Sequence, residues 1–383
     1  MIKNICKWAG LIVYVIYSTH AVASIPDETS HQLSLDALQS NPTEFLQQKV
    51  QENYAFFGMS VYFNNLDYYL IDTEQIRRIE EAEIITLQAQ QWLAVVGRFR
   101  VMLIQADSLV FSVNNQSLKW QNPAVLAQDQ SQLMLVAKNE LSAISPELNQ
   151  IRYAHLWWPL AGLSRAVEAT LVFIQQYLVS NWGWTIVLFS VLVRLLLLPV
   201  GILTTRSQRK VSQVQALLAP RLLEIKANFD GETAHNKIMA AHKDLGVSPF
   251  YTLKPMLATM IQLPILIAVF NALGVMSQFE GQSFLWITDL AYPDTIGNLS
   301  SAIPMLGSSI SLLPVVMTIV TLLSTISFQN SHAPELELQR QKRNLYLMAA
   351  AFFILFYPFP AAMVLYWTAA NILTGLQQYA IKI

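Results

Sequence analysis

From Trp182 to Leu203 the chain runs for 22 residues with Arg194 as the single charged side chain. Wound as a helix, that run is about 33 Å long, enough to cross the hydrocarbon core of a bilayer. Arg194 sits about 18 Å from one end and about 14 Å from the other, too deep for its guanidinium to reach water freely. The composition agrees with a membrane protein: hydrophobic residues make up 54% and charged residues 13%, with a mean hydropathy of +0.37. A soluble globular chain carries about a quarter charged residues. Lys+Arg 24 against Asp+Glu 25 excludes a basic nucleic-acid binder. Cys6 alone excludes a disulfide framework, a Cys-based zinc site and an iron–sulfur cluster.

Four further apolar runs follow: Pro255–Met276, Ile310–Phe328, Leu345–Tyr357 and Ala361–Ile381. Pro358-Phe359-Pro360 leaves room only for a helical hairpin between the last two. Leu345–Tyr357 is short for a span, which would favour a locally thinned membrane. Residues 204–254 hold 8 basic and 4 acidic side chains, and 330–344 hold Arg340, Lys342 and Arg343 against Glu335 and Glu337. Residues 277–308 hold Glu280, Asp289 and Asp294 without a basic residue. Positive charge marks the cytoplasmic side, so 204–254 and 330–344 are expected inside and 277–308 outside. Five spans alternating from an outside start require the same arrangement. The C-terminus then lies in the cytoplasm.

Residues 1–23 carry Lys3 and Lys7, an apolar run Trp8–Tyr17 and small residues Ala21 and Ala23, the layout of a signal peptide or a signal anchor. Residues 24–155, with 9 basic and 16 acidic side chains across 24–181, are expected to form a small acidic domain outside the membrane, mixed or β-rich. Asp36–Gln51 reads as a helix, Leu109–Val113 and Leu133–Ala137 as strands, and Trp92–Ile104 as either. Within 156–181, Leu160, Leu163, Val167, Leu171 and Ile174 recur at helical spacing, with Arg165, Glu168, Gln175 and Gln176 elsewhere on the wheel. That pattern fits a helix in the outer interface, or one packed on the soluble domain. Residues 182–383 form the membrane core, within which 204–254 reads as a charged helical hairpin turning at Asp230-Gly231.

Arg194 is the candidate functional residue, because no Asp or Glu occurs in any of the five runs to neutralise it. A central arginine costs about 2.5–3.5 kcal/mol on insertion scales, so water or polar groups must lie beside it. Ser190 one turn earlier and Gln262 in the next span are polar neighbours, and with Asn371 each equally suits helix packing. Tyr366 and Trp367 read equally as bundle packing or as the wall of a cavity. No histidine lies in the spans to serve a nucleophile, and no H-E-x-x-H or phosphate-binding glycine loop occurs. His235 and His242, both read as exposed, make a poor metal site. Neither an enzyme nor a cofactor is expected.

From Leu156 onward the sequence resembles the YidC family of membrane protein insertases. The resemblance rests on Leu156-Trp157-Trp158-Pro159, Asn181-Trp182-Gly183-Trp184 with Arg194 and Pro199, and Leu218 and Pro220. It continues in Gly246-Val247-Ser248-Pro249, Ile261-Gln262-Leu263-Pro264-Ile265 and Leu285-Trp286-Ile287-Thr288-Asp289-Leu290. Phe359-Pro360-Ala361, Leu365-Tyr366-Trp367, Asn371 and Gln377-Gln378 complete it, and Gln91-Trp92-Leu93-Ala94 looks like the end of the family's outer domain. The resemblance implies an all-α core of five transmembrane helices in the inner membrane. It implies a water-filled groove open to the cytoplasm and to lipid, and an outer domain in the periplasm. Nascent inner-membrane proteins are the implied partners, with the lipid bilayer, the Sec translocon and the ribosome. The family's groove arginine falls on Arg194, its small polar neighbour on Ser190 and its substrate-contacting aromatic on Trp367. The outer domain is shorter than usual, and Phe250-Tyr251 stand where the family carries glycines after the hairpin proline. The chain stops at Lys382-Ile383 without a basic tail, so ribosome docking by a tail is not expected. A small-anion transporter or channel using Arg194 is the rival reading, and a folding chaperone beside a translocon a third.

Overall fold

The computed structural model describes Leu46 and residues 65–382, apart from 73–74, 81–82, 115–116, 128–131, 249, 252, 304–305 and 327–334. The expected signal segment, nearly all of the expected Asp36–Gln51 helix, Pro249 and Phe328 lie outside the described residues.

The N-terminal domain is β-rich. Strands β1 (Asp67–Ile71), β2 (Ile76–Arg78), β3 (Ile84–Thr86), β4 (Trp92–Val96), β5 (Arg100–Gln105), β6 (Val110–Asn114), β7 (Ser117–Trp120) and β8 (Gln132–Ala137) form two antiparallel sheets. Their orders are β2-β1-β4-β5-β8 and β3-β6-β7. Trp92–Ile104 resolves into β4 and β5, paired Leu93 to Ile104 and Val96 to Val101. The two strands are buried on both faces: Met102 and Ile104 pack with Leu109 and Phe111, while Val101 and Leu103 pack with Leu141, Leu148 and Ile151. A strand covered on both sides loses the alternation that distinguishes it from a helix. Gln91-Trp92-Leu93-Ala94 opens β4 in the middle of the larger sheet, so it does not end the domain; four strands follow it.

Seven helices build the remainder of the described chain: α1 (Trp158–Tyr177), α2 (Trp182–Asn228), α3 (Gly231–Asp244), α4 (Leu253–Val275), α5 (Leu313–Ile326), α6 (Glu335–Phe356) and α7 (Ala361–Lys382). A single turn, Leu141–Ile144, precedes them. A hairpin of β9 (Thr295–Ile303) and β10 (Gly307–Ser311) interrupts the acidic loop between α4 and α5. Among the described residues α2 is the one helix long and apolar enough to cross a membrane by length and composition. Gln262–Val275 and Leu313–Ser324 are shorter apolar stretches.

The first apolar run and the first arm of the 204–254 hairpin form one helix, since α2 runs 47 residues from Trp182 through Pro199 and Pro220 into the charged arm. Proline removes one backbone bond without ending a helix that its neighbours hold. Two expectations are corrected. The third apolar helix starts at Leu313 rather than Ile310, because Ile310 and Ser311 pair with β9 opposite Gly297 and Thr295. The fourth run belongs to a 22-residue helix reaching back to Glu335, so only its apolar part, Leu345–Phe356, is short. The return arm of the hairpin, α3, ends where Gly246 takes a left-handed φ of 64°.

Glu168 is a further departure. It lies off the apolar stripe of α1 in sequence yet is buried at 5% exposure. The Tyr153 hydroxyl donates to it at 2.9 Å and Arg152 forms an ion pair with it. The stripe itself, Val167, Leu171 and Ile174, is buried against the helical core, with Ala268 and Val269 of α4 in the same cluster. Trp157, Trp158, Tyr177 and Leu178 at the two ends of α1 stay exposed.

Candidate functional site

Arg194 occupies the thirteenth position of α2. Its neighbours Val193 and Leu197 are buried in the helical core, whereas Leu195 and Leu196 are exposed. The Arg194 Nε is buried and has no hydrogen-bond partner, and Arg194 forms no ion pair among the described residues. Tyr366 on α7 is its electrostatic neighbour. The Tyr366 ring, 6% exposed, lies 6.0 Å from that of Phe189 on α2. Ser190 is buried beside Phe189, and its hydroxyl donates within its own helix to the Val187 carbonyl at 2.6 Å. Arg194 and Tyr366 are thus brought together across α2 and α7, with Ser190 one turn away.

Trp367 and Asn371 face elsewhere. Trp367 turns from Tyr366 into an aromatic cluster with Phe270 at 6.0 Å, Phe352 at 6.1 Å and Phe356 at 5.3 Å, joining α4, α6 and α7. Asn371 donates to the Thr321 hydroxyl at 2.7 Å, and its carbonyl accepts from Ser324 at 3.4 Å, so it fastens α7 to α5. Gln262 is half-buried on α4. His242 is buried, contrary to its reading as exposed, with its Nδ1 2.7 Å from the Ile238 carbonyl. No cluster of metal-ligating side chains occurs among the described residues.

The close packing that frames this region was not evident from residue type alone. A β-carbon at Gly201 would stand 2.9 Å from Gln377, and one at Gly375 would stand 2.8 Å from the Ser324 hydroxyl. Small residues let helices approach this nearly where apolar burial gives no drive. Thr321, the partner of Asn371, carries no such signal in sequence.

At the N-terminal ends of α2 and α5, separate motifs converge. Asn181 Oδ1 caps α2 by accepting from the amides of Gly183 at 2.9 Å and Trp184 at 3.3 Å. Gly183 lies against the Phe284 ring with no room for a β-carbon, and Trp184 meets the same ring edge-on at 5.4 Å. Asp289 accepts from the amides of Gly281 and Ala291. Asp294 accepts from Leu312 at 3.0 Å, Leu313 at 2.6 Å and the Trp286 indole at 3.2 Å, capping α5. Burial pushes the Asp294 carboxyl above the ordinary carboxylate range, and these bonds hold it partly down.

Residues 173–383 match the model of the family described as 60Kd inner membrane protein. The protein named membrane protein insertase YidC from Amoebophilus asiaticus (strain 5a2) is 28% identical over 326 residues, covering 79% of this chain and 53% of that one. Its namesake from Janthinobacterium sp. (strain Marseille) is 30% identical over 244 residues, 63% of this chain and 40% of that one. The chain therefore spans about half, or less, of the length of these curated relatives. A solved structure titled as an active YidC insertase with the first transmembrane domain resolved covers 83% of this chain at 18% identity. Its TM-score of 0.39 is too low to carry an argument. With more than half of its length matched to the family model, the chain belongs to the 60Kd inner membrane protein family, the YidC family.

Proposed function

We propose that this protein is a membrane protein insertase and chaperone, not an enzyme, in the bacterial inner membrane. Its core is assigned five spans, carried by α2, α4, α5, α6 and α7, with α1 in the outer interface and the β-rich domain in the periplasm. The α2–α3 hairpin and the C-terminus lie in the cytoplasm. Clients are nascent inner-membrane proteins, received in a hydrophilic groove open to cytoplasm and lipid; the Sec translocon and the ribosome are further partners under this reading.

The observation that carries the proposal is the buried, unbonded Nε of Arg194 on α2, the one helix among the described residues long and apolar enough to cross a membrane. A guanidinium there has no acid to neutralise it among the described residues, so it is available to an incoming one. Two unit charges about 4 Å apart gain about 4 kcal/mol at an effective dielectric near 20. That is enough to offset part of the desolvation of a short acidic segment moving inward. The apolar helix of the client then leaves sideways into lipid. A membrane potential positive outside draws each acidic residue outward by about 2.3 kcal/mol per 100 mV.

The test is insertion into vesicles holding the purified full chain, with clients whose outer segments are acidic or neutral. Arg194→Ala should abolish insertion of the acidic client and spare the neutral one, with Arg194→Lys intermediate. Equal insertion of the acidic client by all three proteins would sink the charge-capture step. An Arg194-dependent flux of small anions through the same vesicles would replace the insertase reading by a channel.

A further inference from the structure

The turn between β4 and β5 carries a buried arginine that the membrane reading does not use. Arg98 is 8% exposed, although it sits at the tip of a turn in the outer domain. Its Nε donates to the Gly274 carbonyl at 2.8 Å and its Nη2 to the Ala291 carbonyl at 2.9 Å. The guanidinium lies 4.3 Å from the centroid of Phe99 and 5.9 Å from that of Tyr292. Phe99 meets Tyr292 edge-on at 6.4 Å and is buried in the helical core cluster rather than in either cluster of its own domain.

Each contact answers a need of the backbone. Gly274 is the penultimate residue of α4, and the last carbonyls of a helix have no partner within it. A cation there also complements the helix dipole. The planar fork of arginine reaches two carbonyls on different segments at once, which the single ammonium of lysine does not reproduce. The second of those segments has its own task at α7. The Tyr292 carbonyl accepts from Ala361 at 2.8 Å and the Leu290 carbonyl from Ala362 at 2.9 Å. These are the first two amides of α7, which lack partners inside the helix. Residues 290–292 therefore face Arg98 through one carbonyl and cap α7 through the two beside it.

We propose that Arg98 is a positioning residue: it locks the outer domain onto the end of α4 and, through residues 290–292, holds the start of α7 in place. The outer domain is on this account a fixed part of the core's outer end. The inference stands whatever passes along the core, since it rests on these contacts alone.

Hydrogen exchange on the full chain in lipid nanodiscs tests it. Arg98→Ala should speed exchange in the first turn of α7 by about tenfold or more while β4 and β5 keep their protection. Arg98→Lys should recover part of the loss, and it serves as the informative variant should the alanine chain not fold. If acceleration is confined to the β4–β5 turn, Arg98 only shapes its own hairpin and the proposal fails. If protection falls throughout β4 and β5, Arg98 supports the fold of the outer domain, and the proposal fails equally.

Discussion

Gly375 of α7 lies against Ser324 of α5 so closely that a β-carbon would come within 2.8 Å of the hydroxyl and 3.3 Å of the Ser324 β-carbon. The hydroxyl cannot easily move, since it donates to the Val320 carbonyl at 2.8 Å and to that of Asn371 at 3.4 Å. Gly375→Ala should therefore lower the unfolding free energy by about 1–3 kcal/mol, as overpacking typically does. Ser324→Ala in the same chain removes the nearest atom and should restore most of the loss. A double-mutant cycle by thermal unfolding would show coupling; additive losses would mean that the helices part rather than clash.

Lys138 supplies a pH signature for the β-rich domain. Burial lowers its ammonium from 10.5 to about 7, the Asp67 charge opposing and Arg152 and Arg98 adding. Between about pH 7 and pH 10.5 the unfolded chain holds a proton that the folded chain has released, so stability rises with pH across that window. The slope approaches about 1.4 kcal/mol per unit where the difference is complete. Below the window both states are protonated and the slope vanishes. Lys138→Met should flatten the profile, as read by unfolding at both ends of the range.

The Arg152–Glu168 pair joins the β-rich domain to α1, with the Tyr153 hydroxyl and the Gln278 amide on the same carboxylate. Glu168→Ala strands the half-buried Arg152 guanidinium and should cost about 3–5 kcal/mol. Replacing both residues by methionine removes the stranded charge and should cost clearly less. Chemical unfolding of the two variants side by side decides it; equal losses would show that packing rather than charge matters there.

Tyr366 and Trp367 are adjacent in sequence and should separate by phenotype. Trp367→Ala opens the Phe270, Phe352 and Phe356 cluster, a loss of about 3–5 kcal/mol by the usual scale for large aromatics. Any fall in insertion would then track stability. Tyr366→Phe removes only the hydroxyl beside Arg194, so it should leave the unfolding midpoint near that of the parent and slow insertion of acidic clients. Melting curves and client insertion, measured on the same preparations, tell the two apart.

Much of this arrangement is legible in the residues themselves. Hydropathy locates the apolar helices, and Pro358-Phe359-Pro360 marks the turn into α7. Helical spacing picks out the buried face of α1. What escapes is whatever depends on a partner distant along the chain. Trp92–Ile104 is ambiguous because both its faces are covered, Glu168 looks peripheral until Arg152 and Tyr153 reach it, and Ile310 reads as part of a span until β9 pairs with it. Among the candidate residues, Arg194 stands out by cost alone. Trp367 and Asn371 carry side chains that suit a cavity wall and a helix contact equally, and only the neighbouring helices decide where they turn.

The unbroken course of α2 ties two distant events to one rod. Asn228 at its far end lies 34 residues beyond Arg194, about 51 Å along the axis. A nudge at that far tip is a torque on the helix that holds the guanidinium. The bonds missing at Pro199 and Pro220 set where the rod gives way. A load on that tip is thus carried down the same rod to Arg194.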